Sequence, residues 1–159
     1  MNPIHPALAR LAQAAKEMPR EDCAGALREA LANPAWLRPE HRIGDPTAYM
    51  RHVLYVDPDG AFVMTAITWL PGQKSPVHGH QVWCAYGVAE GELTEECFHE
   101  DLQPSAVQTY GKGEIAERDL ERKAIHRVSN RSRGTIVSLH LYGVSPERLT
   151  TGINRIYSA

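Results

Sequence analysis

The sequence predicts a mostly-β fold, an antiparallel sandwich or barrel under a helical N-terminal cap. Three observations lead there. Apolar residues recur at helical spacing only in the first third, the texture turns β-rich after Pro46, and short runs separated by turn residues fill the rest. Within residues 1–45, Leu8, Leu11, Ala12 and Ala15 share one helical face. Ala24, Leu27, Ala30 and Leu31 repeat the pattern after a break near Pro19. Asp22 is placed to start the second helix, which must stop before Asn33-Pro34, because a proline disfavours helical geometry in the residue ahead of it. These helices are expected to cover one side of a sheet or barrel rather than to form a partner-binding face.

Residues 46–159 are expected to form the β-barrel. Runs 49–56 and 61–70 are joined by Asp57-Pro58-Asp59-Gly60, a strong turn signal. Further strands are expected at 82–88, 93–98, 106–110, 113–118, 125–130 and 135–142. The run Arg118-Asp119-Leu120-Glu121-Arg122-Lys123 mixes both signs and reads as a solvated hairpin or loop. No repeat, low-complexity tract or linker interrupts the chain, so residues 1–159 are expected to be one domain.

Composition narrows the function classes. Hydrophobic residues make up 43% and charged residues 23%, ordinary for a soluble globular protein, and the formal net charge of -2 offers no electrostatic case for nucleic acid or an anionic membrane. No stretch approaches the ~20 apolar residues of a membrane span. The start, Met1 to Pro6, lacks the basic and apolar regions of a signal peptide. Cys23, Cys84 and Cys97 are an odd number without CxxC spacing, which signals neither a disulfide framework nor a zinc site. The expectation is a reduced, cytoplasmic protein with buried thiols and no evident protein partner.

The segment that carries chemistry runs from Gly72 to Gly91 and contains His78-Gly79-His80. Side chains alternate along a strand, so these two imidazoles point to the same face and can bind one metal, with Gly79 keeping the opposite face clear. A lone HxH pair is weak evidence, since buried histidines satisfied by hydrogen bonds are common. The surrounding spacing reverses that order. Glycine, five residues, HxH, three residues, one special position, six residues and glycine is similar to the first motif of the cupin superfamily throughout. In the common cupin pattern the special position is a glutamate ligand; here it is Cys84. His126-Arg127-Val128-Ser129-Asn130 resembles the end of the second cupin motif. Gly113 can begin that motif, although Glu121 and Lys123 stand where the usual proline and glycine would be. The resemblance implies a metal held by His78, His80 and His126. Three neutral imidazoles leave such an ion its full +2 charge and about three open positions on one octahedral face. Imidazole ligation suits iron, zinc, copper and nickel alike, so the ligands alone do not choose the metal.

Over roughly residues 49–142 the chain resembles the thiol dioxygenases of the cupin superfamily, of which cysteine dioxygenase is the best-known member. Ser138-Leu139-His140-Leu141-Tyr142 is similar to the family's serine–histidine–tyrosine relay, which aims a tyrosine hydroxyl at the iron site. Tyr49-Met50-Arg51 resembles the strand that supplies an arginine for the substrate carboxylate, and a guanidinium can grip a carboxylate bidentately. Tyr49 shares that strand face. Trp69 stands where the family has a pocket-lining tryptophan, with core packing an equal alternative. The resemblance implies Fe(II), O2 and a small thiol substrate. Arg51 favours cysteine, because related 3-mercaptopropionate dioxygenases often carry glutamine there. Cys84 falls where animal cysteine dioxygenases carry the cysteine that forms a thioether to the tyrosine near iron, which here would be Tyr142. The loop after His80 is one residue shorter than theirs, and a buried thiol is the alternative. A cupin that binds metal or a small ligand without turnover is the competing class, since one fold hosts many functions.

Overall fold

Two antiparallel sheets lie face to face, and two helices cover the outer side of one of them. The computed structural model describes residues 4–17, 20–116 and 124–158, and of residues 20–22 the backbone only. The expected break at Pro19, a capping part for Asp22 and the run from Arg118 to Lys123 lie outside what is described.

Helix α1 spans Pro6–Glu17 and α2 Arg20–Ala32, so the second helix ends just ahead of Asn33-Pro34, as the sequence requires. Two short 3-10 turns, Pro34–Trp36 and Pro39–Arg42, lead to the strands. These are β1 (Met50–Val56), β2 (Val63–Trp69), β3 (Val77–His80), β4 (Cys84–Glu90), β5 (Glu92–Phe98), β6 (Pro104–Gly111), β7 (Ile125–Ser129), β8 (Ile136–Tyr142) and β9 (Asn154–Ser158). One sheet has the order β1-β2-β8-β4 and the other β6-β5-β7-β3-β9. Among the described residues no helix is long and apolar enough to cross a membrane.

Period-two alternation explains how the layers stack. Every residue of β2 and β8 is buried, because both faces of their sheet are covered. Met64, Ala66, Val137, Leu139 and Leu141 pack against Leu8, Leu11, Leu27 and Leu31 of the helices. The intervening residues Ile67, Trp69 and Ile136 form a separate cluster with Leu93 and Val128 of the second sheet. Gly87 permits the first contact, since a Cβ there would meet the Leu31 side chain and lie 2.7 Å from the Glu114 carbonyl oxygen.

The Asp57–Gly60 turn forms as expected. Gly60 N–H donates to Asp57 O at 2.9 Å and Ala61 N–H to Asp57 Oδ2 at 3.0 Å, which closes the β1–β2 hairpin. Gly72 and Gly91, the two ends of the first motif, both have φ of +84°. At Gly91 a Cβ would also lie 2.9 Å from Ile136 Cγ1, so glycine is required twice over where β4 turns into β5.

Three expectations change. Residues 113–116 do not form a strand. Gly113 turns at φ +88° and Glu114 bonds back to Gly111, leaving Ile115 with an isolated bridge to Gly87. The fourth strand starts at Cys84 rather than at 82 and runs on to Glu90. Strand β9 was not anticipated, because its residues are mostly exposed and carry no apolar alternation; it runs antiparallel along β3 and pairs Asn154 with His80.

Candidate metal centre

The inner faces of the two sheets meet at a narrow cavity, and the predicted site residues other than Ser138 line it. Strand β3 supplies His78 and His80, and β7 supplies His126 directly opposite His78 in the register. Their ring centroids are 4.5 Å apart for His78–His126 and 5.1 Å for each pair with His80. One potential ligand atom from each lies within 4.8 Å of the others, and this is the one such His/Cys/Asp/Glu group among the described residues. Gly79 is not needed to clear the far side. Tyr157 already covers it, and a Cβ would sit 3.4 Å from that ring, an ordinary contact.

Hydrogen bonds decide which nitrogens face the cavity. His78 Nδ1 lies 2.9 Å from Pro76 O, and a carbonyl only accepts, so Nδ1 carries the proton. His126 Nδ1 lies 2.9 Å from Glu95 Oε2 and is a donor for the same reason. The two Nε2 atoms then confront each other at 3.1 Å. Two lone pairs at that distance repel unless a proton or a cation lies between them, and a divalent ion satisfies both. Burial, then the His126 charge, lowers His78 to about 4 and His80 well below its ordinary value, so both are neutral bases at pH 7. These residues fit a metal.

Glu95 was missed at the sequence level. It sits on β5 between Leu93 and Cys97 on the inward face, 1% exposed. It accepts from His126, Tyr86 and Tyr110, with Cys97 Sγ at 3.4 Å. Burial raises its carboxyl, but the bonds from His126, Tyr86 and Cys97 outweigh that and hold it below its ordinary value. The available signal was an acid on the apolar face of a strand, which demands a partner.

Ser138, His140 and Tyr142 are joined in a hydrogen-bonded chain, and Trp69 heads it. Trp69 Nε1 donates to Ser138 Oγ at 2.9 Å, and Ser138 Oγ lies 2.7 Å from His140 Nε2. His140 Nδ1 lies 3.2 Å from Tyr142 Oη. An indole N–H can only donate, so Ser138 Oγ accepts from Trp69 and has its one proton to offer to Nε2. Burial, and then Arg51, lowers His140 well below its ordinary value, and a neutral ring that accepts from Ser138 carries its proton on Nδ1. That leaves the Tyr142 hydroxyl hydrogen to point into the cavity. Burial raises Tyr142, with Cys84 adding to the effect and Arg51 opposing it, so the phenol stays protonated. Tyr86 stacks on His140 at 4.9 Å and fixes that ring from the side.

Arg51 reaches the cavity from β1. Its guanidinium carbon is 5.5 Å from the Tyr49 ring centre and 5.9 Å from that of Tyr142, and its Nε is buried with no hydrogen-bond partner. Tyr49 stacks on Trp69 at 4.5 Å. Trp69 is thus both a core residue and a cavity wall. Cys84 is buried and pairs with Tyr142 in the β4–β8 register, outside the histidine group. Asn130 has a structural part: its amide donates at 2.8 Å to Trp69 O and to Gly134 O, tying the end of β7 to β2.

Comparison with solved structures shows the fold. An uncharacterized conserved protein with a double-stranded β-helix domain from Klebsiella pneumoniae matches with TM-score 0.56 and 15% identity, covering 76% of this chain and 93% of that one. A cupin-2 domain from Rhodospirillum rubrum matches with TM-score 0.53 and 13% identity, over 74% of this chain and 73% of its own. The architecture is that of a cupin. The family model described as cysteine dioxygenase type I matches residues 24–150, which include every residue placed on the cavity above, and the chain belongs to the cysteine dioxygenase type I family.

Proposed function

We propose that this protein is an iron(II)-dependent thiol dioxygenase that converts L-cysteine and O2 to cysteine sulfinate. The observation that carries the reading is the convergence of three imidazoles, an arginine with an unspent donor and a buried phenol on one cavity. Family membership supports the reaction class. The overall change oxidises sulfur by four electrons and places both atoms of O2 on it, so no further reductant enters the balance.

His78, His80 and His126 would hold the ion, and Fe(II) bound there would supply an electrophilic, redox-active centre able to gather thiolate and O2. The protein's own part is placement. Arg51 grips the substrate carboxylate through charge-assisted bonds, which a half-buried site strengthens. Tyr142, oriented by His140, Ser138 and Trp69, donates its hydroxyl hydrogen to the substrate carboxylate or to the reacting oxygen. The stacked pair Tyr49 and Trp69 walls the cavity and limits the water that reaches it. Cys84 lies opposite Tyr142 on the adjacent strand, which supports a thioether between them.

Oxygen uptake by the Fe(II)-loaded protein tests this, with cysteine, 3-mercaptopropionate and cysteamine ranked by kcat/KM and the product identified by mass. Cysteine should rank first, because it alone of the three offers both a carboxylate for Arg51 and an amine. No thiol-dependent uptake above metal-free controls would favour a cupin that binds without turnover.

A further inference from the structure

A metal-binding imidazole needs an acceptor for its other nitrogen, because that bond fixes the tautomer and the ring orientation. Two of the three rings have theirs: Pro76 O for His78 and the Glu95 carboxylate for His126. The Nδ1 of His80 is buried with no hydrogen-bond partner. On the neighbouring strand, the residue opposite His80 in the register is Asn154. Its Oδ1 is also buried with no hydrogen-bond partner, and both side chains line the same cavity. An orphaned ring nitrogen and an orphaned acceptor therefore sit on directly paired positions. Such positions bring Cβ atoms to about 4.5–5.5 Å, close enough for an imidazole and an amide to meet by side-chain rotation alone.

We propose that Asn154 is the positioning residue of His80: with a divalent ion in place, His80 Nε2 faces the ion and its Nδ1–H donates to Asn154 Oδ1. The inference rests on the three-histidine reading of the centre and completes it, giving each ligand ring its own oxygen acceptor. It also accounts for strand β9, whose pairing with β3 brings Asn154 to the site. The chemistry is asymmetric. A carboxylate on His126 makes that ring the strongest donor to the ion, whereas a neutral amide on His80 orients without adding charge.

The test uses the full chain loaded with Co(II) in place of iron, read by proton NMR in water. Three slowly exchanging, hyperfine-shifted imidazole N–H signals are expected in the natural protein, one per histidine. Asn154→Ala should exchange one of them rapidly and weaken Co(II) binding about tenfold or more in a chelator competition, while Asn154→Asp, which keeps an acceptor, restores both. Two slow signals in the natural protein, or three in Asn154→Ala with unchanged Co(II) affinity, would overturn the proposal. So would an Asn154→Ala protein that binds Co(II) normally but has a raised KM for cysteine and an unchanged KM for 3-mercaptopropionate, since Asn154 would then be reading the substrate amine. Absence of stoichiometric Co(II) binding by the natural protein would instead remove the three-histidine reading beneath it.

Discussion

The two faces of strand β8 are built from the same run of residues and do opposite things. Val137, Leu139 and Leu141 face the helices and belong to an all-apolar cluster. Ser138, His140 and Tyr142, one position out of step, face the cavity and are joined by hydrogen bonds. All six are buried. The outer face gains stability by removing apolar area from water, whereas the inner face holds polar groups that burial disfavours and that only mutual bonding makes tolerable. With the helical cap covering its outer face, β8 can turn Ser138, His140 and Tyr142 to polar work, while Ile136 at its start still packs in the inner apolar cluster.

Cutting the apolar outer face of β8 and the metal ligands across the cavity from its inner face should give the largest effects. Leu139→Ala should cost about 2–5 kcal/mol of stability through a cavity in the helix–sheet core, with metal bound normally by the folded protein. His78→Ala should do the reverse, abolishing stoichiometric metal binding while the metal-free melting temperature holds or rises. Thermal unfolding and metal analysis on both variants would show whether the faces separate in this way.

Arg51→Gln ranks next. Cysteine kcat/KM should fall about 100-fold, equivalent to roughly 2.7 kcal/mol, while iron content stays unchanged. Equal loss of both would make Arg51 structural. Proton linkage gives a smaller, graded effect. The folded-state values of His78, His80 and His140 lie below their unfolded ones. Metal-free stability is therefore full above the unfolded value of about 6.5 and is lost as pH falls below it, down to about 4 for His78, with a limit of about 1.4 kcal/mol per pH unit for each ring. Denaturant midpoints measured between pH 7 and pH 4 would reveal the slope. The smallest effect belongs to Trp69→Phe, which removes one buried hydrogen bond worth about 1 kcal/mol. It should lower kcat more than stability, since it frees Ser138 to reverse the polarity of the relay.

What could be read from the sequence was whatever is local in the chain. His78-Gly79-His80 between Gly72 and Gly91, the alternating Ser138, His140 and Tyr142, and the Asp57–Gly60 turn each encode their geometry within a few residues. So do the two helices, through their apolar spacing and the proline at 34. The rest depended on pairing across the sheets. Glu95 becomes part of the centre because β5 lies beside β7, and Asn154 because β9 lies beside β3. Nothing within either strand announces its neighbour. The head of the hydrogen-bonded chain was equally hidden, since the indole donor to Ser138 comes from Trp69 on β2. The misplaced strand at 113–116 has a local cause, because apolar Ile115 and Ala116 imitate a strand just past a glycine turn.

Cys84 and Tyr142 occupy paired positions on adjacent strands, so intact mass under denaturing, reducing conditions distinguishes a thioether from two separate side chains. A cross-linked chain is lighter by two hydrogens, and a mass equal to the unmodified sequence would exclude the bond.

The most direct test of the central claim, that the polar inner face is a thiol dioxygenase centre, is turnover of cysteine under isotopically heavy O2 by the Fe(II)-loaded protein. One sulfinate should form per O2 consumed, with both heavy atoms on its sulfur. A product carrying oxygen from water, or oxygen uptake that yields disulfide and no sulfinate, would contradict it.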